Sequence, residues 1–292
     1  MKKLLNISDM NKKDFHIILD NAYKLSNKLD ETLKGKNIGL IFEKNSTRTR
    51  LSFQVGIRQL SGNYIDIRLD ELNLQRFETY EDTFAVMSCY LDCLVFRTTE
   101  HEKLNLSFKH FNKPIINALS DISHPCQAIS DIYTLQEHFK RKDDFKIVWM
   151  GDLNNVLYSL VEAVNMMEST SIDIFTNELI YNENNTNIPS SSNIKYYFDL
   201  NDRVIENADC IMTDVYNSMN DKEDKESLLL KFQVNNNILS KMNNKAVFMH
   251  CLPAKINSEV TEDVLKSSKS IVLKQAKNRM VAQRGILKWL EI

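Results

Sequence analysis

Short apolar runs alternate with amphipathic stretches along this chain, and the apolar runs empty into polar clusters. Phe15, Ile18, Leu19, Ala22 and Leu25 recur at helical spacing behind Asn11 and Asp14, which predicts a capped amphipathic helix. The apolar run 38–42 reads as a buried strand, and Leu51, Phe53, Val55, Ile57 and Leu60 predict a helix after it. Strands are predicted at 64–67, 93–96 and 114–118, with helices over 81–90 and 127–139.

The charged stretch 140–144 reads as a junction, and the alternation then starts again. Strands are predicted at Lys146–Met150, Ser171–Phe175, Cys210–Thr213 and 246–249, with helices at 156–167 and 275–290. The Asn-rich tract 182–193 reads as a polar loop. Alternating strands and helices over both halves predict an α/β protein with two parallel sheets flanked by helices. In such sheets ligands bind beyond the carboxyl ends of the strands. That rule collects Ser46 to Arg50, Arg97, His124 to Gln127, Asp152 to Asn155, Asp214 to Met219 and His250 to Pro253, with a cleft between domains as their expected meeting place.

Composition narrows the function without changing this picture. The 292 residues have room for one large or two medium domains, and 43% hydrophobic with 26% charged content is ordinary for a globular protein. Thirty-seven basic against thirty-nine acidic residues give a formal net charge of −2, so no global field points to nucleic acid or an anionic membrane. The apolar runs are too short to cross a bilayer, and the opening Met1-Lys2-Lys3-Leu4-Leu5 meets Asn6, Ser8 and Asp9 before a signal-peptide core can form. Five cysteines, an odd number, suit reduced thiols and predict a cytoplasmic protein. Cys89 and Cys93 lie four apart with no Cys/His pair near them, which suits core packing; no metal site and no cofactor are expected.

The chemistry starts at Ser46-Thr47-Arg48-Thr49-Arg50, which opens the helix after the first strand. A helix's first turn has unpaired N–H donors and the positive end of the macrodipole, and hydroxyls and guanidinium forks add directed donors. A phosphate would bind there. A well-capped surface helix with solvated arginines is an equal reading of these five residues alone. Taken singly, Arg97 and Arg279 also read as solvated charges, His124 as a turn residue, Cys251 as a buried core thiol, and Asp214 and Ser218 as loop caps.

Seven segments in order change that balance. They are Phe42-Glu43-Lys44-Asn45-Ser46-Thr47-Arg48-Thr49-Arg50, Phe96-Arg97-Thr98, His124-Pro125-Cys126-Gln127, Gly151-Asp152-Leu153-Asn154-Asn155, Thr213-Asp214-Val215-Tyr216-Asn217-Ser218-Met219, Met249-His250-Cys251-Leu252-Pro253 and Ala276-Lys277-Asn278-Arg279. Together, from Asn6 to Leu290, the chain resembles the ornithine carbamoyltransferases of the aspartate/ornithine carbamoyltransferase family. The resemblance implies a carbamoyl-phosphate domain at 1–140 and an ornithine domain at 141–274, with the last helix, 275–292, crossing back to the first. It implies carbamoyl phosphate and L-ornithine as substrates, and a homotrimer or an assembly of trimers. By the same match Ser46, Thr47, Arg48, Thr49, Arg97, His124, Gln127 and Arg279 hold carbamoyl phosphate. Asn155, Asp214, Ser218, Met219, Cys251 and Leu252 hold ornithine, with Arg97, His124 and Cys251 catalytic.

The match departs from the family at Asn73-Leu74-Gln75-Arg76-Phe77, where relatives carry a Gln and a Gly-Arg-Gly turn, and at Asn220, where they carry Gly. Gln75 and Phe77 resist the positive φ that glycine permits. Aspartate as acceptor is disfavoured by the resemblance, because that branch carries His-Pro-Leu-Pro where this chain has His250-Cys251-Leu252-Pro253. Putrescine or an N-acylated ornithine is the nearer alternative acceptor. A non-catalytic binding or regulatory subunit is an alternative of another class.

Overall fold

The computed structural model describes residues 2–72, 78–184, 188, 191–217 and 224–292. The chain divides into two compact units: Met1–Tyr133 with Lys277–Ile292, and Thr134–Ala276.

In the first unit, α1 (Lys12–Leu25) begins where the Asn11 side chain accepts from the Asp14 N–H at 2.9 Å, and it buries Phe15, Ile18, Leu19, Ala22 and Leu25. Then come β1 (Asn37–Phe42), α2 (Thr47–Gln59), β2 (Asn63–Ile67), α3 (Tyr80–Tyr90), β3 (Cys93–Arg97), α4 (His101–His110), β4 (Ile115–Leu119) and α5 (Pro125–Phe139), whose residues from Thr134 onward belong to the second unit. The four strands form a parallel sheet in the order β2-β1-β3-β4. Ile41, Leu94, Phe96 and Ile115 of the sheet pack with Phe84, Met87 and Leu104 of α3 and α4 in one apolar cluster. The chain winds outward from β1 to β2, then returns to β3 on the other side of β1. The reversal point therefore lies between β1 and β3, with Phe42 and Arg97 paired at their carboxyl ends. Ligands of open α/β sheets bind outside such a point.

The second unit holds β5 (Lys146–Met150), α6 (Asn155–Met166), β6 (Ser171–Phe175), α7 (Glu178–Asn184), β7 (Ile194–Tyr197), α8 (Asp202–Glu206) and β8 (Cys210–Thr213). Beyond them lie α9 (Glu226–Leu229), α10 (Asn236–Lys241), β9 (Val247–His250) and α11 (Glu262–Lys266). Its parallel sheet runs β7-β6-β5-β8-β9, so the reversal falls between β5 and β8. The turn after β5 needs Gly151, at φ +134°, where a Cβ would sit 3.1 Å from the Tyr216 ring. The last helix, α12 (Val272–Leu290), has its residues from Lys277 onward in the first unit.

The two predicted parallel sheets are present, and the strands expected at Lys146–Met150, Ser171–Phe175 and Cys210–Thr213 have those bounds. The alternation did not reveal α4, α7 to α11 or β7, and α7 takes the first residues of the tract expected as loop. Among the described residues, no helix is long and apolar enough to cross a membrane.

Candidate active site

Two clusters of polar side chains sit at the reversal points, one in each unit. In the first, Ser46 is the residue before α2, yet its side chain makes no capping bond. Its hydroxyl instead accepts from Arg97 Nη1 at 3.2 Å, across the β1–β3 boundary. The first turn of α2, Thr47 to Arg50, has no carboxylate, so nothing there offsets the positive end of the helix. Thr47 is exposed, Arg48 half-buried and Thr49 buried. Arg50 turns to β2, with Nε 3.8 Å from Asp66 and the guanidinium over the Phe42 ring.

Arg279 brings α12 into this cluster. Its Nη1 donates to Thr49 Oγ1 at 3.3 Å, and its Nη2 donates to Gln127 Oε1. Gln127, in the first turn of α5, donates in turn to Asp131 Oδ1 at 2.7 Å. His124 precedes that helix and its carbonyl accepts from the Gln127 N–H at 3.0 Å. Burial, reinforced by Arg279, Arg97 and Arg48, pushes the His124 imidazole well below its ordinary titration range. It is therefore neutral at physiological pH, with one ring N–H to donate. Cys126 points elsewhere: its thiol donates to the Asn117 carbonyl at 3.3 Å, and burial pushes it up to about 12.

In the second unit the hub is Asp214, just past β8 and buried. Cys251 Sγ donates to its Oδ1 at 3.0 Å, and Asn154 Nδ2 donates to its Oδ2 at 3.2 Å. Asn154 also caps α6, accepting from the N–H groups of Val156 and Leu157, both at 3.1 Å. Asn155 is the first residue of that helix and half-buried. Leu252 lies in the left-handed region at φ +58° and precedes a cis bond to Pro253. Its N–H donates to His250 Nδ1 at 2.9 Å, so the ring proton sits on Nε2, 3.0 Å from Glu259 Oε1. Asp152, almost wholly buried, pairs with Lys225 at 3.0 Å.

Donor atoms of Asp214, His250 and Cys251 lie within 4.8 Å of one another, which makes them the candidate metal ligands among the described residues. A metal there would have to displace the Cys251–Asp214 bond and one of the two partners of the His250 ring.

The structure thus pairs Arg97 with Ser46 and joins Arg279 to Thr49 and Gln127 through hydrogen bonds, with Arg48, Arg97 and Arg279 all acting on His124. It groups Asp214 with Cys251 and puts Leu252 beside them. Ser218, Met219 and the loop 73–77 lie outside the described residues. Sequence reasoning passed over Asn154 as a partner of Asp214. Two adjacent asparagines at a helix start offer no pattern that separates the capping residue from its neighbour. It also passed over Glu43, which accepts from Thr98 and Thr99 in the turn after β3 and from Lys103 on the unpredicted helix α4.

Comparison with known proteins agrees with this fold. Residues 2–137 match the model of the aspartate/ornithine carbamoyltransferase carbamoyl-phosphate binding domain, and residues 143–290 match that of the aspartate/ornithine binding domain. The chain is 38% identical over 302 residues to a protein of Rhizobium johnstonii named ornithine carbamoyltransferase, covering 99% of this chain and 97% of that one. The crystal structure of ornithine carbamoyltransferase from Thermus thermophilus superposes with a TM-score of 0.89 at 29% identity, covering 100% of this chain and 99% of the other. The anabolic ornithine carbamoyltransferase of Campylobacter jejuni does so at 0.88 and 29%, covering 99% of each. With two matched domain models spanning nearly all its residues, and polar clusters at the reversal points of both sheets, the chain belongs to the aspartate/ornithine carbamoyltransferase family.

Proposed function

We propose that the chain transfers the carbamoyl group of carbamoyl phosphate to the side-chain amine of L-ornithine, giving L-citrulline and phosphate. The observation that carries this reading is His124, a buried imidazole held neutral among Arg48, Arg97 and Arg279. Such a group can donate a hydrogen bond to a carbonyl oxygen without adding a further positive charge. The guanidinium groups, the hydroxyls of Ser46, Thr47 and Thr49, and the first N–H groups of α2 would hold the phosphate and stabilise it as it leaves. Arg97 would span phosphate and carbonyl oxygen, and Gln127 would orient the carbamoyl amide. An oxyanion donor of this kind is worth roughly 3–4 kcal/mol of barrier.

Ornithine's side-chain amine is protonated near neutral pH, with a pKa of roughly 10.4 as for lysine. Asp214 would draw it in, while Cys251 Sγ and the Leu252 carbonyl aim the nitrogen after it loses its proton. Asn155, Ser218 and the Met219 backbone would take the α-amino and carboxylate groups. The nitrogen lone pair then forms the new C–N bond. The C–O bond to phosphate breaks with its electron pair leaving on phosphate, and the nitrogen releases its second proton. Positioning and electrostatics carry the step, and no covalent enzyme intermediate is needed.

The names of the Rhizobium, Thermus and Campylobacter relatives support ornithine as acceptor, and the last, named anabolic, supports the synthetic direction towards arginine. A homotrimer, or an assembly of trimers, is supported by exposed apolar side chains one turn apart, Leu51 and Val55 on α2 and Val86 and Tyr90 on α3, beside exposed Ile65 on edge strand β2. Free thiols at all five cysteines support a reducing compartment, the cytoplasm.

The test is citrulline formation from carbamoyl phosphate and ornithine, with putrescine, N-acetylornithine and aspartate run in parallel. Preference for ornithine supports the reading. Preference for putrescine overturns the acceptor, and no turnover with any amine overturns the enzyme.

A further inference from the structure

Glu43 is the first residue past β1, and four donors converge on its half-buried carboxylate. Oε2 accepts from Thr98 Oγ1 at 2.7 Å, from the Thr99 N–H at 2.8 Å and from Thr99 Oγ1 at 3.2 Å. Oε1 accepts from Lys103 Nζ at 3.1 Å, and that ammonium also pairs with Glu100 at 3.0 Å. The backbone closes the same junction, with the Glu43 N–H donating to the Arg97 carbonyl at 3.0 Å. Glu43 thus binds the turn after β1 to the turn after β3, across the reversal point of the sheet. Arg97 is the last residue of β3, one position before the first of these donors.

A carboxylate beside an anion site works against anion binding unless something offsets it. Burial alone would push the Glu43 carboxyl up; the bonds from Thr98, Thr99 and Lys103 outweigh that and hold it below the usual range, so it stays ionised. The arrangement therefore keeps a negative group at the turn between β1 and Ser46, bonded through its backbone to Arg97, and neutralises it locally with Lys103. It lies outside the apolar cluster under the sheet, at the rim where the turn geometry sets the direction of Arg97.

We propose that Glu43 and Lys103 are positioning residues for the reaction: their latch holds Arg97 at Ser46, in the place where it meets the carbonyl and phosphate oxygens of carbamoyl phosphate. This inference rests on the carbamoyl-phosphate reading of the first unit. A displacement of about 1 Å in such a group costs on the order of 100-fold in rate. In Glu43→Gln the amide oxygen can still accept from Thr98 and Thr99, but its NH₂ faces the Lys103 ammonium, donor against donor. Lys103→Met added to it removes that conflict.

Steady-state kinetics on wild type, Glu43→Gln, Lys103→Met and the double variant test the latch, with thermal unfolding run beside them. For Glu43→Gln we expect kcat/KM for carbamoyl phosphate to fall on the order of 100-fold, with KM for ornithine and the unfolding midpoint little changed. The double variant should regain about ten-fold or more of that loss. Wild-type-like kinetics in Glu43→Gln, a KM for ornithine raised as much as that for carbamoyl phosphate, or additive losses in the double variant would each overturn the latch while leaving the reaction intact. A wild type that neither binds carbamoyl phosphate nor forms citrulline overturns the site reading, and the latch with it. Should Glu43→Gln fail to fold, Thr98→Val removes one donor and keeps the charge. It should show the same split between substrates at smaller size, and no split overturns the proposal.

Discussion

Arg279 reaches back from the last helix to Thr49 and Gln127, while Arg97 reaches across the sheet to Ser46, so both arginines are held by a hydroxyl or an amide. Lysine could not replace either as a planar fork. Removing Arg97 leaves the fold's cores untouched and, in the proposed reaction, would take away a donor to the developing charge. Arg97→Ala should therefore lower kcat/KM for carbamoyl phosphate by roughly 100- to 1,000-fold, even at saturating ornithine. Near-normal turnover in a steady-state assay would refute the clamp. Asn154 permits a cleaner separation of roles. Asn154→Asp keeps a capping oxygen for Val156 and Leu157 but sets a carboxylate against Asp214 Oδ2. The unfolding midpoint should hardly move, while kcat/KM for ornithine drops about ten-fold or more, about 1.4 kcal/mol. Carbamoyl-phosphate binding measured by calorimetry should stay the same, and a loss there would mean that Asn154 acts only on the fold.

At the scale of elements, α1 and α12 lie so close that a Cβ at Gly285 would sit 2.5 Å from the Ile18 carbonyl oxygen and 2.9 Å from the Ala22 nitrogen. Backbone cannot step aside as a side chain can. Gly285→Ala should destabilise the protein by about 1–3 kcal/mol in urea unfolding, with activity per folded molecule retained. Unchanged stability would show that the helices can separate at little cost. Both helices were legible because each buries a long apolar stripe, whereas the close approach at Gly285 depends on a partner distant in sequence. The elements that went unread have separate physical reasons. Helix α4 buries His101, Leu104 and Ser107, so two of its three inward positions are polar and the 3.6-residue period is blunted. Helices α8, α9 and α11 span five, four and five residues, too short for any period to repeat. Strand β7 is a half-buried edge beside an Asn-rich tract, with neither a continuous apolar run nor clean alternation.

Over the whole molecule, buried histidines tie stability to pH. Burial lowers His124, and also His101 and His138, below the ordinary imidazole value of 6.5. The unfolded chain takes up those protons near that value, while the folded chain does not until lower pH. Stability from these groups is thus fully present above about pH 6.5 and is lost as pH falls below it, by up to about 1.4 kcal/mol per pH unit for fully buried His124 and by less for half-buried His138. Urea unfolding at pH 7.5 and 5.5 should show the loss, and His124→Gln should make it shallower. An equal slope in that variant would contradict a neutral buried His124. The order of apolar runs and polar clusters by itself determined two parallel α/β units with their chemistry at the strand ends. The reason is that right-handed crossovers send every strand the same way, so residues just past the strands must share one rim. Which guanidinium meets which hydroxyl was decided only by the tertiary structure. Thr49 and Arg279 stand 230 residues apart, and Glu43 finds Lys103 only because a helix without a readable period delivers it. Periodicity records how a segment faces its own core, and it carries no information on which distant side chain completes its hydrogen bonds.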